Sequence, residues 1–244
     1  MDKTIVITGA GTGLGRAMAR RLARDGHRFV LLGRRREKVE AVAGEIGEKA
    51  RALACDVSDA ASVAAAFADI AAHEGRIDVL INNAAIYTPH FIREVSDEQV
   101  AGMLDTNLAG PILCTRAALP LIGAGGQVIN IGSRLATERA AMLALYQTGK
   151  AGLERFTRSL LEEVREDGIR VTLIRAANMT GDDMEWNLDP ELAGRFVAER
   201  QRLGIDRMNT AISQFDSVAE LLPWLIGLPA DVEVTELFLD ARHA

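Results

Sequence analysis

The chain predicts a doubly wound parallel α/β sheet of about seven strands, folded as a single domain. Three observations carry that prediction. Short β-branched runs alternate with longer amphipathic stretches along most of the sequence, the pattern of βαβ units with right-handed crossovers. The short runs are continuously apolar, as strands buried on both faces are. Gly9, Gly11, Gly13 and Gly15 follow the first run directly and lead into a helical pattern, an arrangement whose free N–H groups suit a phosphate. A length of 244 residues fits one large domain, and 48% hydrophobic residues are enough for its core.

Residues 4–8 form the first strand. Leu14, Met18 and Leu22, with Ala17 and Ala19, make the apolar stripe of the first helix, and Arg16, Arg20, Arg21 and Arg24 its polar face. That helix stops near Asp25-Gly26. Residues 29–32 are a second strand, 37–46 a helix, and 52–55 a third strand ending at Asp56-Val57. Ser58 is the expected N-cap of an alanine-rich helix over 59–73. Residues 79–81 are a fourth strand ending at Asn82-Asn83. Ser96 and Gln99 form a capping box that opens one long helix towards Leu119-Pro120. Residues 123–126 read as a turn, 128–131 as the fifth strand, 140–165 as a long helix and 171–174 as the sixth strand. The pattern then breaks. Residues 176–215 show no clear strand and one helical stretch at about 191–203, and their place after the sixth strand makes 178–215 a candidate substrate lid. A single helix over 216–227 and a strand over 233–239 complete the domain.

Composition excludes several classes. The net charge of −6 argues against broad attraction to nucleic acid or an anionic membrane surface. Cys55 and Cys114 lack metal spacing, and the four histidines form no ligand pair, so no metal site and no disulfide framework is expected. The cysteine usage points to a reducing cytoplasm. Asp2-Lys3 ahead of a short apolar run predicts no secretory leader, and no apolar stretch is long enough to span a membrane.

Tyr146 and Lys150 are the chemical centre. Four residues apart on a helix, they share one face. A cation beside a phenol favours the phenolate and lowers its pKa from roughly 10, so the pair can pass a proton to or from a reacting oxygen. The chain holds only two tyrosines and four lysines among its 28 basic residues, which makes the pair unusual.

Thr8-Gly9-x-x-x-Gly13-x-Gly15, followed downstream by Tyr146-x-x-x-Lys150, resembles the short-chain dehydrogenase/reductase family over about residues 3–181. The resemblance implies a Rossmann-type sheet and a nicotinamide cofactor. It implies Asn107, Ser133, Tyr146 and Lys150 as the catalytic set. Ser133 would orient a substrate carbonyl, Tyr146 would act as general acid or base, Lys150 would tune the phenol and hold the nicotinamide ribose, and Asn107 would hold a water near the lysine. Gly9, Thr12, Gly13, Leu14 and Gly15 would cradle the pyrophosphate, Asp56 and Val57 would border the adenine, and Asn83 and Ala84 the adenosine ribose. Tyr146, Lys150 and Thr180 would contact the nicotinamide end. At the end of the second strand Gly33 and then Arg34, Arg35 and Arg36 stand where an NAD site usually carries an acid. Arginine can grip a 2′-phosphate bidentately, so NADP(H) is the expected cofactor with Arg34 as clamp, NAD(H) being the alternative.

The chain departs from the family in three places. The usual Pro-Gly before the nicotinamide threonine is Ala176-Ala177, the usual Ala-Ser before the lysine is Thr148-Gly149, and the C-terminus lacks Asp-Gly-Gly. Candidate substrate-lining residues are Ile86, Tyr87, His90, Arg134, Leu135, Arg139, Met179, Met184 and Trp186, with Arg134, directly after Ser133, a candidate ligand for a carboxylate or phosphate. The resulting expectation is a carbonyl reductase or alcohol dehydrogenase acting on a small molecule, assembled as a homo-oligomer, a dimer or tetramer, through the segments 97–119 and 140–165. A catalytically silent nucleotide-binding sensor on the same fold and a sugar-nucleotide epimerase or dehydratase stand as alternatives.

Overall fold

The computed structural model describes residues 2–182, 184, 188–205 and 211–242. Its centre is a parallel sheet of seven strands: β1 (Thr4–Thr8), β2 (Arg28–Gly33), β3 (Ala50–Ala54), β4 (Ile77–Asn82), β5 (Ile122–Ser133), β6 (Arg170–Ala176) and β9 (Glu236–Leu239). Their spatial order is β3-β2-β1-β4-β5-β6-β9. The order reverses between β1 and β4, the switch point at which open α/β sheets bind ligands.

Strand periodicity builds a core on each face. Ile5 and Ile7 point to one face, with Leu31, Ile81 and Ile129, and meet Leu14, Met18 and Leu22 of α1 (Gly13–Ala23) in a core that also holds Val39 and Val42 of α2 (Arg36–Ile46). Val6 points to the other, with Val30, Leu80 and Val128, and meets Phe67 and Ile70 of α3 (Ala60–Glu74). β1 is buried along its whole length.

Several boundaries differ from the sequence expectation. β3 starts two residues earlier, because Ala50 and Arg51 pair with Phe29 and Val30. Asp59, not Ser58, caps α3 by accepting from the Ala61 N–H; Ser58 instead donates twice to Asp56. The capping box of Ser96 and Gln99 is present, but the helix it opens is not continuous. α4 (Asp97–Leu104) passes through a π-turn at Asp105–Ala109 before α5 (Gly110–Ala118). Residues 123–125 are an exposed, irregular start of β5, and regular pairing with β4 resumes at Gln127. The following long helix, α6 (Ala144–Glu163), begins four residues later than expected. The last helical segment is split into α8 (Phe215–Ala219) and α9 (Leu221–Ile226), since Pro223 has no N–H with which to continue the ladder.

The irregular segment after β6 is bracketed by a two-residue parallel pair, β7 (Met179–Thr180) with β8 (Ser213–Gln214), and carries α7 (Pro190–Arg202) between them. Asp189 caps α7 through the Glu191 and Leu192 N–H groups. Phe196 is the buried anchor of this helix and packs with Met142, Leu143, Tyr87 and Tyr146.

Candidate active site

A cleft of about 520 Å³ lies across the carboxyl ends of the strands. It brings together Gly9, Thr12, Gly13, Leu14, Arg34, Asp56, Val57, Asn83, Ala84, Ser133, Tyr146, Lys150 and Thr180, which are far apart in the chain. Gly15 and Asn107 do not line it and act from beneath.

The glycine turn fits a backbone that must approach a phosphate. Gly9 has φ +65° and a Cβ there would meet Ala84 Cα at 2.8 Å. A Cβ on Gly15 would run into the Gly9 carbonyl and approach Asn83 Nδ2 to 2.6 Å. Asn83 ties this turn to the end of β4. Its Nδ2 donates to the Thr8 and Gly9 carbonyls, while the Asn83 and Ala84 N–H groups donate to Thr8 Oγ1. Thr12 at the N-cap of α1 makes no side-chain cap, so the positive end of the helix faces the cleft. A diphosphate fits this cradle.

Charge falls into two regions. At the β2 end Arg34, Arg35 and Lys38 line the cleft, while Arg36 turns away to Glu40. Arg34 is exposed and has no ion-pair partner among the described residues. Sequence reasoning missed Lys38; its spacing of four from Arg34 was the available signal. Asp56 is the sole carboxylate among the described lining residues, and its Oδ1 is engaged by the Ser58 N–H at 3.0 Å and hydroxyl at 2.6 Å.

The reactive groups at the centre of the cleft are withdrawn from solvent to different degrees: Ser133 and Lys150 are buried and Tyr146 is half-buried. Lys150 is buried and donates from Nζ to the Ile131 carbonyl at 2.7 Å. Burial pushes its pKa down to about 8. The Tyr146 phenol is held above its ordinary value by burial, opposed in part by the Ser133 hydroxyl. The expected lowering of the phenol by Lys150 is therefore not found in this structure. Desolvation of both groups prevails, and the lysine is held by a backbone carbonyl instead. Tyr87 packs edge-on to Tyr146 with ring centroids 4.9 Å apart.

Asn107 lies in the π-turn, fully buried. Its Oδ1 accepts from the Ile86 N–H and its Nδ2 donates to the Ile86 carbonyl, each at 2.8 Å, and also to Met103 Sδ at 3.1 Å. The side chain thus braces Ile86, which lines the cleft. Gly149 faces it across the helix pair, where a Cβ would come within 3.1 Å of Asn107 Cβ. The departure from the family at this position keeps α6 close to the π-turn. Ala176-Ala177 is also anchored, since the Ala177 N–H donates to the Leu239 carbonyl.

Of the expected substrate-lining residues, Ile86, Tyr87, Arg134, Leu135, Met179 and Met184 border the cleft. His90 and Arg139 do not, and Trp186 lies outside the described residues. Arg134 borders it but is committed to carboxylates, Asp240 at 2.8 Å and Glu138 at 2.9 Å. Phe196, Arg200 and Phe215 line the cleft without having been singled out from the sequence. Their approach depends on how residues 176–215 fold back.

Fold and cleft define a dinucleotide-dependent oxidoreductase of the doubly wound class. Residues 3–192 match the model of the short chain dehydrogenase family, and the chain belongs to that family. It is similar to carbonyl reductase family member 4 of Danio rerio, 37% identical over 199 residues, covering 81% of this chain and 84% of that protein. It is also similar to a 3-oxoacyl-[acyl-carrier-protein] reductase of Bos taurus, 34% identical over 231 residues, covering 93% of this chain and 94% of that protein. Among solved structures, an alcohol dehydrogenase from the archaeon Thermococcus sibiricus complexed with 5-hydroxy-NADP superposes with a TM-score of 0.83 at 26% identity, covering 99% of this chain and 97% of that one. Further structural neighbours carry NADP, and another carries NADH. The protein is an NAD(P)-dependent oxidoreductase. Among the described residues, no helix is long and apolar enough to cross a membrane.

Proposed function

We propose that this enzyme interconverts a ketone or aldehyde and the corresponding alcohol, with NADP(H) as preferred cofactor. The single observation that carries the reading is the convergence of Ser133, Tyr146 and Lys150 in one cleft beside a glycine cradle. When bound, the nicotinamide supplies or accepts the hydride. Ser133 positions the carbonyl oxygen and donates to it as negative charge develops. Tyr146, a phenol and so protonated at neutral pH, gives its proton to that oxygen. Lys150 stands behind it as the buried ammonium of the pair, and Asn107 positions Ile86. Gly9, Thr12, Gly13 and Leu14 hold the diphosphate, Asp56, Val57, Asn83 and Ala84 the adenosine, and Thr180 the carboxamide. Gly15 holds the turn in shape from below.

Arg34 supports the NADP(H) preference, because its exposed guanidinium borders the cleft where an NAD site carries an acid. The segment 178–215 acts as a lid, the protein works in the cytoplasm, and it assembles as a homo-oligomer, which light scattering after gel filtration measures. Names of relatives as carbonyl and oxoacyl reductases favour the reductive direction. The decisive test is Tyr146→Phe assayed on a carbonyl panel with NADPH. Turnover is expected to vanish while NADPH binding stays near wild type; retained reduction would refute the acid role.

A further inference from the structure

α7 carries three arginines, and two are committed to carboxylates. Arg195 reaches Glu94 at 2.7 Å and Arg202 reaches Glu199 at 2.8 Å. Arg200 has no carboxylate partner among the described residues, and its Nε is buried without a hydrogen bond. A buried donor left unmade is costly, so an acceptor supplied from outside the chain gains correspondingly. Arg200 borders the same cleft as Tyr146. It lies one helical turn after Phe196, on the same face, with its guanidinium 5.7 Å from that ring's centre. Phe196 in turn stands 6.4 Å from Tyr87, whose ring abuts Tyr146. Of the other cations along the cleft, Arg34, Arg35 and Lys38 lie at the β2 end, Lys150 is held by Ile131, and Arg134, whose Nε also lacks a hydrogen bond, is paired with the carboxylates of Asp240 and Glu138. The same cleft is lined by the apolar side chains of Met179, Met184, Val197 and Ile212, the last three of them exposed.

We infer that Arg200 is an anion-binding subsite for the substrate. The site takes a carbonyl compound with an apolar body and a carboxylate at its other end, an oxo acid or the matching hydroxy acid. The inference rests on the carbonyl reductase reading above and specifies its substrate class. Guanidinium and carboxylate meet as a bidentate pair, and Met179, Val197 and Ile212 cover the chain between carboxylate and carbonyl.

Calorimetry of the NADPH-loaded protein with octanoate and octanamide, two unreactive probes with one apolar chain, reads the anion contribution without turnover. Octanoate is expected to bind about tenfold more tightly than octanamide, a difference of about 1.4 kcal/mol. Arg200→Gln removes the difference and Arg200→Lys keeps part of it. Reduction of 7-oxooctanoate and its methyl ester gives the second arm. In Arg200→Gln the KM of the acid rises about tenfold, while the ester and NADPH constants hold. Equal binding of the two probes by wild type overturns the inference. So does a loss in Arg200→Gln shared equally by acid and ester, or one that falls on NADPH and so places the guanidinium on the cofactor. Equal probe binding with Tyr146-dependent reduction of neutral ketones would sink the subsite and spare the reductase. Tight octanoate binding with no carbonyl reduced would do the reverse.

Discussion

Lys150 makes a measurable statement about stability. Its ammonium is buried with one carbonyl partner, and its pKa falls from 10.5 to about 8. Below pH 8 the group is charged in both folded and unfolded chains, and the folded state carries the full cost of desolvating it. Between 8 and 10.5 the folded protein gives up the proton first, so the unfolded state binds more protons and stability rises with pH. Above 10.5 both forms are neutral. At about 1.4 kcal/mol per pH decade the recovery approaches about 3 kcal/mol. Lys150→Met removes the titration, so the difference between the two proteins isolates it. Tyr146 is shared by both, and its raised value makes stability fall as pH climbs above 10. The comparison therefore belongs between pH 8 and 10, where wild type should gain about 2–3 kcal/mol on the variant, or about 5–10 °C in Tm for a chain of this size. Urea or thermal unfolding of the cofactor-free proteins across that range measures it. Parallel stability curves would show that the lysine is not desolvated.

Three further outcomes follow from the geometry. Arg34→Ala should raise the NADPH dissociation constant by about tenfold or more and leave NADH nearly unchanged; equal effects on both cofactors, read by fluorescence titration, would reject the NADP(H) preference. Gly15→Ala places a Cβ against the Gly9 carbonyl, so cofactor affinity should collapse while circular dichroism still reports a folded sheet; near-normal NADPH binding would refute the cradle. Asn107→Ala strips partners from both the Ile86 N–H and C=O, and chemical denaturation should record a loss of about 2–5 kcal/mol. A loss under about 0.5 kcal/mol would mean that Ile86 finds water instead.

Much of the fold was legible because its determinants are local. A doubly buried strand must be continuously apolar, so the runs at 4–8, 29–32 and 171–174 lie within β1, β2 and β6. The capping box at Ser96 was equally readable, since it closes within three residues. Misreadings fell where two neighbours compete for one role. Ser58 and Asp59 both suit an N-cap, and Asp59 takes it because Ser58 is drawn to Asp56. The π-turn at Asn107 leaves no periodic mark, because one widened turn shifts the apolar stripe by less than composition blurs it.

The sequence by itself determined which groups could do the chemistry: the glycine turn, Asn107, Ser133, and the phenol and ammonium on one helix face. The glycine turn and the phenol–ammonium pair follow from residue type, order and i,i+4 spacing, which one segment carries complete, while Asn107 and Ser133 follow from the resemblance to the family's motifs. Tertiary structure alone decided what those groups experience. Lys150 meets the Ile131 carbonyl 19 residues away, and Arg134 meets Asp240 across 106 residues. Burial raises a phenol that the helix pair alone would have lowered. α7 brings Arg200 to the cleft of Tyr146 with a buried donor unfilled. Desolvation and charge pairing depend on the dielectric and on neighbours distant in sequence, and both exist only once the chain has packed.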